Sequence, residues 1–166
     1  MRSDRGYTLF ELLIVVGLIG IVTAISVPVF MQSNARTSVW VGSEQLGASI
    51  RQGRLRAISS NTTYRVVFDC PAEAQVRYLI MTGDPVVDDD PGRCGDTLDG
   101  ESGIIELPGG VGFDSGAATA LQVTGRGVFN AIGGAIPLTI SVSDGPNTRT
   151  LAVSSTGQIT FTDGHE

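Results

Sequence analysis

The hydrophobic pattern divides the chain into an apolar beginning and a mixed remainder. Every position from residue 12 to residue 30 is apolar or small. This run approaches the length of about 20 residues that a helix needs to cross a membrane. Arg2 and Arg5 precede it and are expected to stay on the cytoplasmic side. The pattern predicts one membrane-spanning helix with the remaining chain beyond it.

A helical pattern continues past the apolar run, so that the predicted helix covers residues 8–59. Apolar or small residues recur every three or four positions, at Val39, Gly42, Leu46, Ile50, Gly53 and Ala57. We expect this face to pack against a globular domain. Arg51, Arg54 and Arg56 lie on other sides and predict a solvated face, with contacts to DNA, lipid head groups or an acidic neighbour as alternatives.

Beyond Asn61, short segments rich in β-branched and aromatic residues predict strands. The first group comprises residues 64–68 and 77–81, with weaker candidates at 104–107, 121–123 and 128–130. The second comprises residues 138–142, 150–153 and 159–161, which turn sequences separate into an antiparallel meander. A long N-terminal helix followed by antiparallel strands is an α+β fold.

Composition narrows the possible functions. The net charge is −6, with 11 arginines and no lysine, which argues against a general nucleic-acid binder. The sole histidine is His165, and the sequence contains no GxSxG, P-loop or GxGxxG motif after a strand. We therefore expect neither an enzyme nor a cofactor.

Two features beyond the apolar run, a pair of cysteines and an acidic segment, predict specific chemistry. Cys70 and Cys94 predict a disulfide if the domain is exported, whereas two unpaired thiols would fit a cytosolic protein. Residues 84–101 carry seven acids, of which Asp96, Asp99 and Glu101 would be the best calcium ligands. Their spacing does not match an EF-hand, so a solvated loop tethered by Cys94 is preferred and no metal is predicted.

Glu11 is an acid placed directly before the apolar run. A carboxylate in such a helix costs roughly 3 kcal/mol on insertion scales and normally has a partner. Cleavage after Gly6 would supply one, because the new α-amino group of Tyr7 lies one helical turn before Glu11. The two charges can pair within a chain or between neighbouring chains, where a buried pair would fix axial register.

Residues 6–13, GYTLFELL, resemble the class III signal of type IV pilins and type II secretion pseudopilins. The resemblance implies that prepilin peptidase cleaves after Gly6 and methylates Tyr7, and that Glu11 acts in assembly. It also implies assembly roles for Gly20 and Pro28, which bracket the stretch that loses helical order in some assembled pili. Other pilins or pseudopilins, the peptidase and an inner-membrane assembly platform are the implied partners.

The resemblance implies a pilin-like organisation and location. Residues 1–6 would be a cleaved leader, 7–30 the transmembrane and filament-core helix, 31–60 its continuation packed on the domain, and 61–166 an extracytoplasmic β-rich domain. The chain would cross the inner membrane once, with its C-terminal domain in the periplasm. It would later enter a periplasmic pseudopilus or a cell-surface pilus.

The soluble half is similar to GspH/FimT-type proteins, at residues 46–68, 127–130 and 149–159. This implies a structural subunit of minor pilin or pseudopilin type. A major type IV pilin and a DNA-binding minor pilin of an uptake pilus are the alternatives. The Gly-Arg-x-Arg motif of DNA-binding relatives is replaced by GQIT at residues 157–160, which argues against nucleic acid and leaves Arg126 and Arg149 as substitutes.

Overall fold

The computed structural model describes residues 8–95, 104–114 and 120–164. The chain forms two compact units, residues 1–35 and 36–166, which we call the N-terminal unit and the globular unit. A single helix, α1 (Leu9–Ser60), supplies the described residues of the N-terminal unit from Leu9 onwards and the first element of the globular unit. It begins and ends one residue later than the sequence predicts.

Within the globular unit, the buried face of α1 is the one that the periodicity predicts. Val39, Leu46, Ile50 and Ala57 are all buried. Gly53 lets the helix approach the sheet closely, because a Cβ atom there would lie 3.0–3.1 Å from the side chains of Tyr78 and Val66. The prediction of a helix face packed on a domain is therefore confirmed.

The described strands form two antiparallel sheets. Their bounds are β1 (Tyr64–Phe68), β2 (Gln75–Ile80), β3 (Ile105–Glu106), β4 (Gly112–Phe113), β5 (Ala120–Val123), β6 (Phe129–Ile132), β7 (Leu138–Asp144), β8 (Asn147–Val153) and β9 (Ile159–Gly164). The five-stranded sheet has the order β3-β2-β1-β5-β6, and the four-stranded sheet has the order β4-β7-β8-β9. This is the α+β fold that the sequence predicts.

The alternation of β1 divides the five-stranded sheet into an inner and an outer face. Val66 and Phe68 point inward and are buried with Tyr78 of β2, on the side where α1 packs. The second sheet contributes Ile140 and Leu151, which face each other across β7 and β8, to the same core. Arg65 and Val67 therefore occupy the outer face, away from α1.

The predicted meander is observed as β7, β8 and β9. The turn between β7 and β8 contains Gly145 at φ +66°, and the turn before β9 contains Gly157 at φ +83°. Glycine adopts this left-handed region without steric strain. At Gly157 a Cβ atom would also lie 2.9 Å from the ring of Phe129, so that both conformation and space favour glycine there.

The structure adds two short helical turns that the sequence did not predict. They are α2 (Pro85–Asp88) and a 3₁₀ turn (Pro91–Cys94), and both lie in the acidic segment between β2 and β3. Asp84 caps α2 by accepting a hydrogen bond from Val86 N at 2.9 Å, and Asp90 caps the 3₁₀ turn. We call residues 82–95 the strap.

Candidate assembly site

Helix α1 begins with a cap formed by Thr8. The Thr8 hydroxyl accepts a hydrogen bond from Glu11 N, and its carbonyl accepts one from Leu12 N, both at 3.2 Å. Thr8 and Glu11 thus have the spacing of a capping box, with the acid in the first turn, where the helix dipole favours negative charge. This local role of Glu11 was not predicted from the sequence, although a threonine followed three positions later by glutamate signals it.

The beginning of α1 presents an uncovered apolar surface. Every described side chain from residue 8 to residue 31 is exposed, including Leu12, Leu18 and Ile21. The most apolar 18-residue window has a mean hydropathy of 2.7, and by length and composition the helix can cross a membrane. Lipid or other apolar helices would remove this surface from water, which is the favourable direction for apolar groups.

The polar and helix-weakening residues in this segment are accommodated within the helix. The hydroxyls of Thr23 and Ser26 donate to the carbonyls of Ile19 and Val22, at 2.7 and 2.8 Å. The helix continues through Gly20 and through Pro28. A Cβ atom at Gly20 would meet nothing within 4 Å, so packing inside this unit does not require glycine there.

The predicted processing residues, Gly6 and Tyr7, lie outside the described residues, so the pairing of the Tyr7 amine with Glu11 stays a prediction. The predicted disulfide is confirmed. Cys70 and Cys94 are bonded in the globular unit, with their Cα atoms 5.3 Å apart.

The expectation of a purely solvated acidic loop is wrong for Asp88, which is buried on the strap. Its carboxylate accepts three hydrogen bonds, from Thr82 N, the Thr82 hydroxyl and Gly83 N, at 2.8–3.0 Å. Desolvation opposes ionisation, but these hydrogen bonds and the charge of Arg65 outweigh it and lower the pKa of Asp88. The carboxylate therefore holds the first part of the strap together.

The proposed calcium ligands, Asp96, Asp99 and Glu101, also lie outside the described residues. Within residues 8–95, 104–114 and 120–164, no three histidine, cysteine or acidic side chains gather into a group that could hold a metal ion.

Arg149 of β8 forms a clamp between the four-stranded sheet and α1. Its guanidinium stacks on the rings of Trp40 and Phe161, 5.6 and 4.7 Å from the ring centroids. It also pairs with Glu44 at 3.3 Å and with Asp163 at 2.9 Å. These contacts neutralise the charge, so Arg149 is a poor substitute for a phosphate-binding arginine.

Two of the three helix arginines are engaged by the domain, which corrects the expectation of a solvated face. Arg54 Nε donates to Gly127 O at 3.0 Å, and the Arg56 guanidinium lies 5.1 Å from the centroid of the Tyr78 ring. Arg51 is exposed. Tyr78 itself donates to Ser49 O at 2.7 Å, and burial raises the pKa of its hydroxyl.

Arg126 lies on the turn between β5 and β6, beside an open pocket of about 470 Å³. The pocket is otherwise lined by Asn61, Thr124, Gly125 and Val128. One cation in an open pocket does not form the positively charged groove that tracks a nucleic-acid backbone.

The family model described as the prokaryotic N-terminal methylation motif matches residues 1–27. The fold matches that of the type IV minor pilin FimU from Pseudomonas aeruginosa strain PAO1, with a TM-score of 0.54 and 13% identity, over 79% of this chain and 96% of FimU. In its N-terminal motif and in its fold, the chain is similar to type IV pilins and pseudopilins.

Two further proteins are similar to this chain. The minor pseudopilin EpsH from the type 2 secretion system of Vibrio cholerae shares the fold, with a TM-score of 0.51 and 16% identity, over 78% of this chain and 99% of EpsH. A fimbrial protein of Pseudomonas aeruginosa is 29% identical over 119 residues, which are 71% of this chain and 75% of that protein. The N-terminal motif and the exposed apolar helix together fit a membrane-anchored pilin.

Proposed function

We propose that this chain is a minor pilin or pseudopilin of the GspH/FimT type, a structural subunit of a type IV pilus or a type II secretion pseudopilus. The observation that carries the proposal is the exposed apolar surface of α1, most of which lies within the methylation motif and which carries Glu11 in its first turn. A helix of this kind needs a bilayer before assembly and neighbouring helices after it.

In this proposal, prepilin peptidase removes residues 1–6 and methylates Tyr7. The helix then remains inserted in the inner membrane, with the globular unit in the periplasm, until the assembly platform adds the subunit to a filament. Glu11 pairs with a Tyr7 amine, and this pair sets the axial position of each helix. A mispositioned helix would leave the carboxylate unpaired in apolar surroundings, which costs several kcal/mol.

The cap at Thr8 offers a competing, purely local role for Glu11, and matched variants separate the two. Glu11→Gln keeps a side chain that suits the capping box but removes the charge. Thr8→Val removes the capping hydroxyl but keeps the charge. The proposal expects Glu11→Gln to be processed yet poorly incorporated into filaments, and Thr8→Val to be incorporated almost normally.

Incorporation is measured as the amount of this subunit in sheared filaments relative to the membrane fraction, together with the N-terminal residue in each fraction. Normal incorporation of Glu11→Gln would refute the register role. Loss of incorporation in Thr8→Val alone would assign Glu11 to helix capping. The N-terminal readout ensures that a processing defect is not mistaken for an assembly defect.

Gly20 allows a separate test of whether the helix between Gly20 and Pro28 loses helical order on assembly, as it does in some assembled pili. Gly20→Ala fits the isolated helix sterically and should strengthen it by about 1 kcal/mol. If local unwinding accompanies assembly, the same variant should reduce incorporation, whereas unchanged incorporation would remove Gly20 from the assembly residues. Pro28→Ala tests the other end of that stretch in the same assay.

A further inference from the structure

The strap lies across the outer face of the five-stranded sheet, opposite α1. Strand β2 is covered on both sides, because Tyr78 faces the helix while Arg77 and Leu79 face the strap. Arg77 and Leu79 are each only 2% exposed. The strap therefore covers a sheet surface that carries both charge and apolar area.

The attachments of the strap to the sheet are mainly polar. Arg65 Nη1 donates to Asp88 O at 2.8 Å and to Asp89 Oδ1 at 2.9 Å. Arg77 Nη1 donates to the carbonyl of Cys94, and Arg93 Nη2 donates to Ile80 O at 3.0 Å. Hydrogen bonds of this kind contribute modestly in net terms, because water replaces them when they open.

Apolar packing contributes little to holding the strap in place. Val86 is 82% exposed and Val87 is 38% exposed, so the large aliphatic side chains of the strap do not enter the core. An open pocket of about 200 Å³ lies at this junction, lined by Leu79 and Val67 from the sheet and by Asp88 from the strap. The two helical turns of the strap, of four residues each, are also too short to be stable alone.

We propose that the Cys70–Cys94 disulfide is a redox latch that keeps the strap closed over an arginine-bearing sheet face. When the bond accepts two electrons and two protons from a dithiol, it becomes two thiols and the dithiol becomes a disulfide. The strap then leaves the sheet and exposes Arg65, Arg77 and Leu79, while the two sheets and α1 stay folded.

The latch changes the charge that this side of the molecule presents. Closed, the surface carries the carboxylates of Asp84, Asp89 and Asp90, all on exposed residues. Open, it presents the guanidinium groups of Arg65 and Arg77 on the sheet. Formation of the disulfide is thus a maturation step for the globular unit, and this inference does not depend on the filament role.

Trypsin tests the latch directly, because the chain has 11 arginines and no lysine and is therefore cut only after arginine. The full-length chain in detergent is digested briefly with and without dithiothreitol, quenched, reduced and examined by mass spectrometry. Arg93 reports on the strap, Arg77 and Arg149 report on the two sheets, and Arg126, on an exposed turn, serves as an accessible reference. Complete reduction is verified by a gain of two hydrogens in the intact mass.

The proposal expects cleavage after Arg93 to accelerate about tenfold or more on reduction, as for a locally opened segment. Cleavage after Arg77 and Arg149 should stay slow even where the side chain becomes exposed, because both residues lie in paired strands whose backbone a protease cannot bind until the sheet unfolds. The double variant Cys70→Ser/Cys94→Ser should show the same pattern without reductant. Unchanged cleavage at Arg93 after complete reduction would overturn the latch. Parallel acceleration at Arg77, Arg149 and Arg93 would overturn it too, since the bond would then support the whole unit.

Discussion

The two units of this chain use apolar residues in opposite ways. In the globular unit, Leu46, Ile50 and Leu151 are fully buried, and a single core joins α1 to both sheets. In the N-terminal unit, equally apolar residues such as Leu18 and Ile21 are exposed. Burial in the first case stabilises the subunit itself, whereas in the second it must await a bilayer or neighbouring subunits. The same residue type therefore serves folding in one unit and assembly in the other.

Two matched leucine substitutions, one in each unit, should differ most in their effect on stability. Leu46→Ala should destabilise the globular unit by about 2–5 kcal/mol, because it leaves a cavity at a fully buried site. Leu18→Ala should change that stability by less than about 0.5 kcal/mol. Urea unfolding of the full-length chain in detergent, followed by fluorescence of the sole tryptophan, Trp40, measures both. Similar destabilisation by the two variants would contradict the division of roles.

Arg149 provides a test of intermediate size within the globular unit. Arg149→Met removes the ion pairs with Glu44 and Asp163 but keeps an unbranched side chain between the rings of Trp40 and Phe161. We expect a loss of about 1–2 kcal/mol in the free energy of unfolding, since both carboxylates are partly exposed and screened. Arg149→Lys should recover only part of it, because an ammonium lacks the planar stacking surface. Full recovery by lysine would show that charge alone holds the clamp.

The smallest expected effect is a pH-dependent contribution of Asp88. Because hydrogen bonds and Arg65 lower its folded pKa, the ionised carboxylate stabilises the fold above its unfolded pKa, near 4. That contribution is lost as the pH falls through the lower folded pKa. We expect Asp88→Asn to cost about 1 kcal/mol between pH 5 and 7, and the difference from wild type to shrink below about pH 4. A difference that stays constant from pH 3 to 7 would contradict this assignment.

Local patterns predicted the elements of this fold better than their arrangement. The face of α1 that includes Leu46 and Ile50 follows from helical spacing, and the meander of β7 to β9 follows from strands joined by short turns. The order of the five-stranded sheet does not follow from such patterns, because β1 pairs not only with β2, its neighbour in sequence, but also with the distant β5. Pairing across that distance depends on tertiary packing, which periodicity does not encode.

The charged residues of the globular unit show the same limit. Asp88 looked like one acid of a solvated loop because its burial depends on how the strap folds back onto Thr82 and Gly83 and on Arg65, which approaches from β1. Arg149 looked available for phosphate because Ser43 and Glu44 precede it by more than a hundred positions. By contrast, the disulfide between Cys70 and Cys94 was predictable, since export leaves few other uses for two cysteines of this kind.

We propose that this chain enters a filament through a processed helix whose Glu11 meets a Tyr7 amine. The most direct test of this proposal is mass spectrometry of the N-terminus in sheared filaments and membranes, after digestion with a protease that cuts following glutamate. A processed subunit yields a peptide of residues 7–11 that begins with an N-methylated Tyr7, and the account predicts this peptide at a low level in filaments. A peptide of residues 1–11 in both fractions would contradict the account, because Glu11 would then have no such amine to meet.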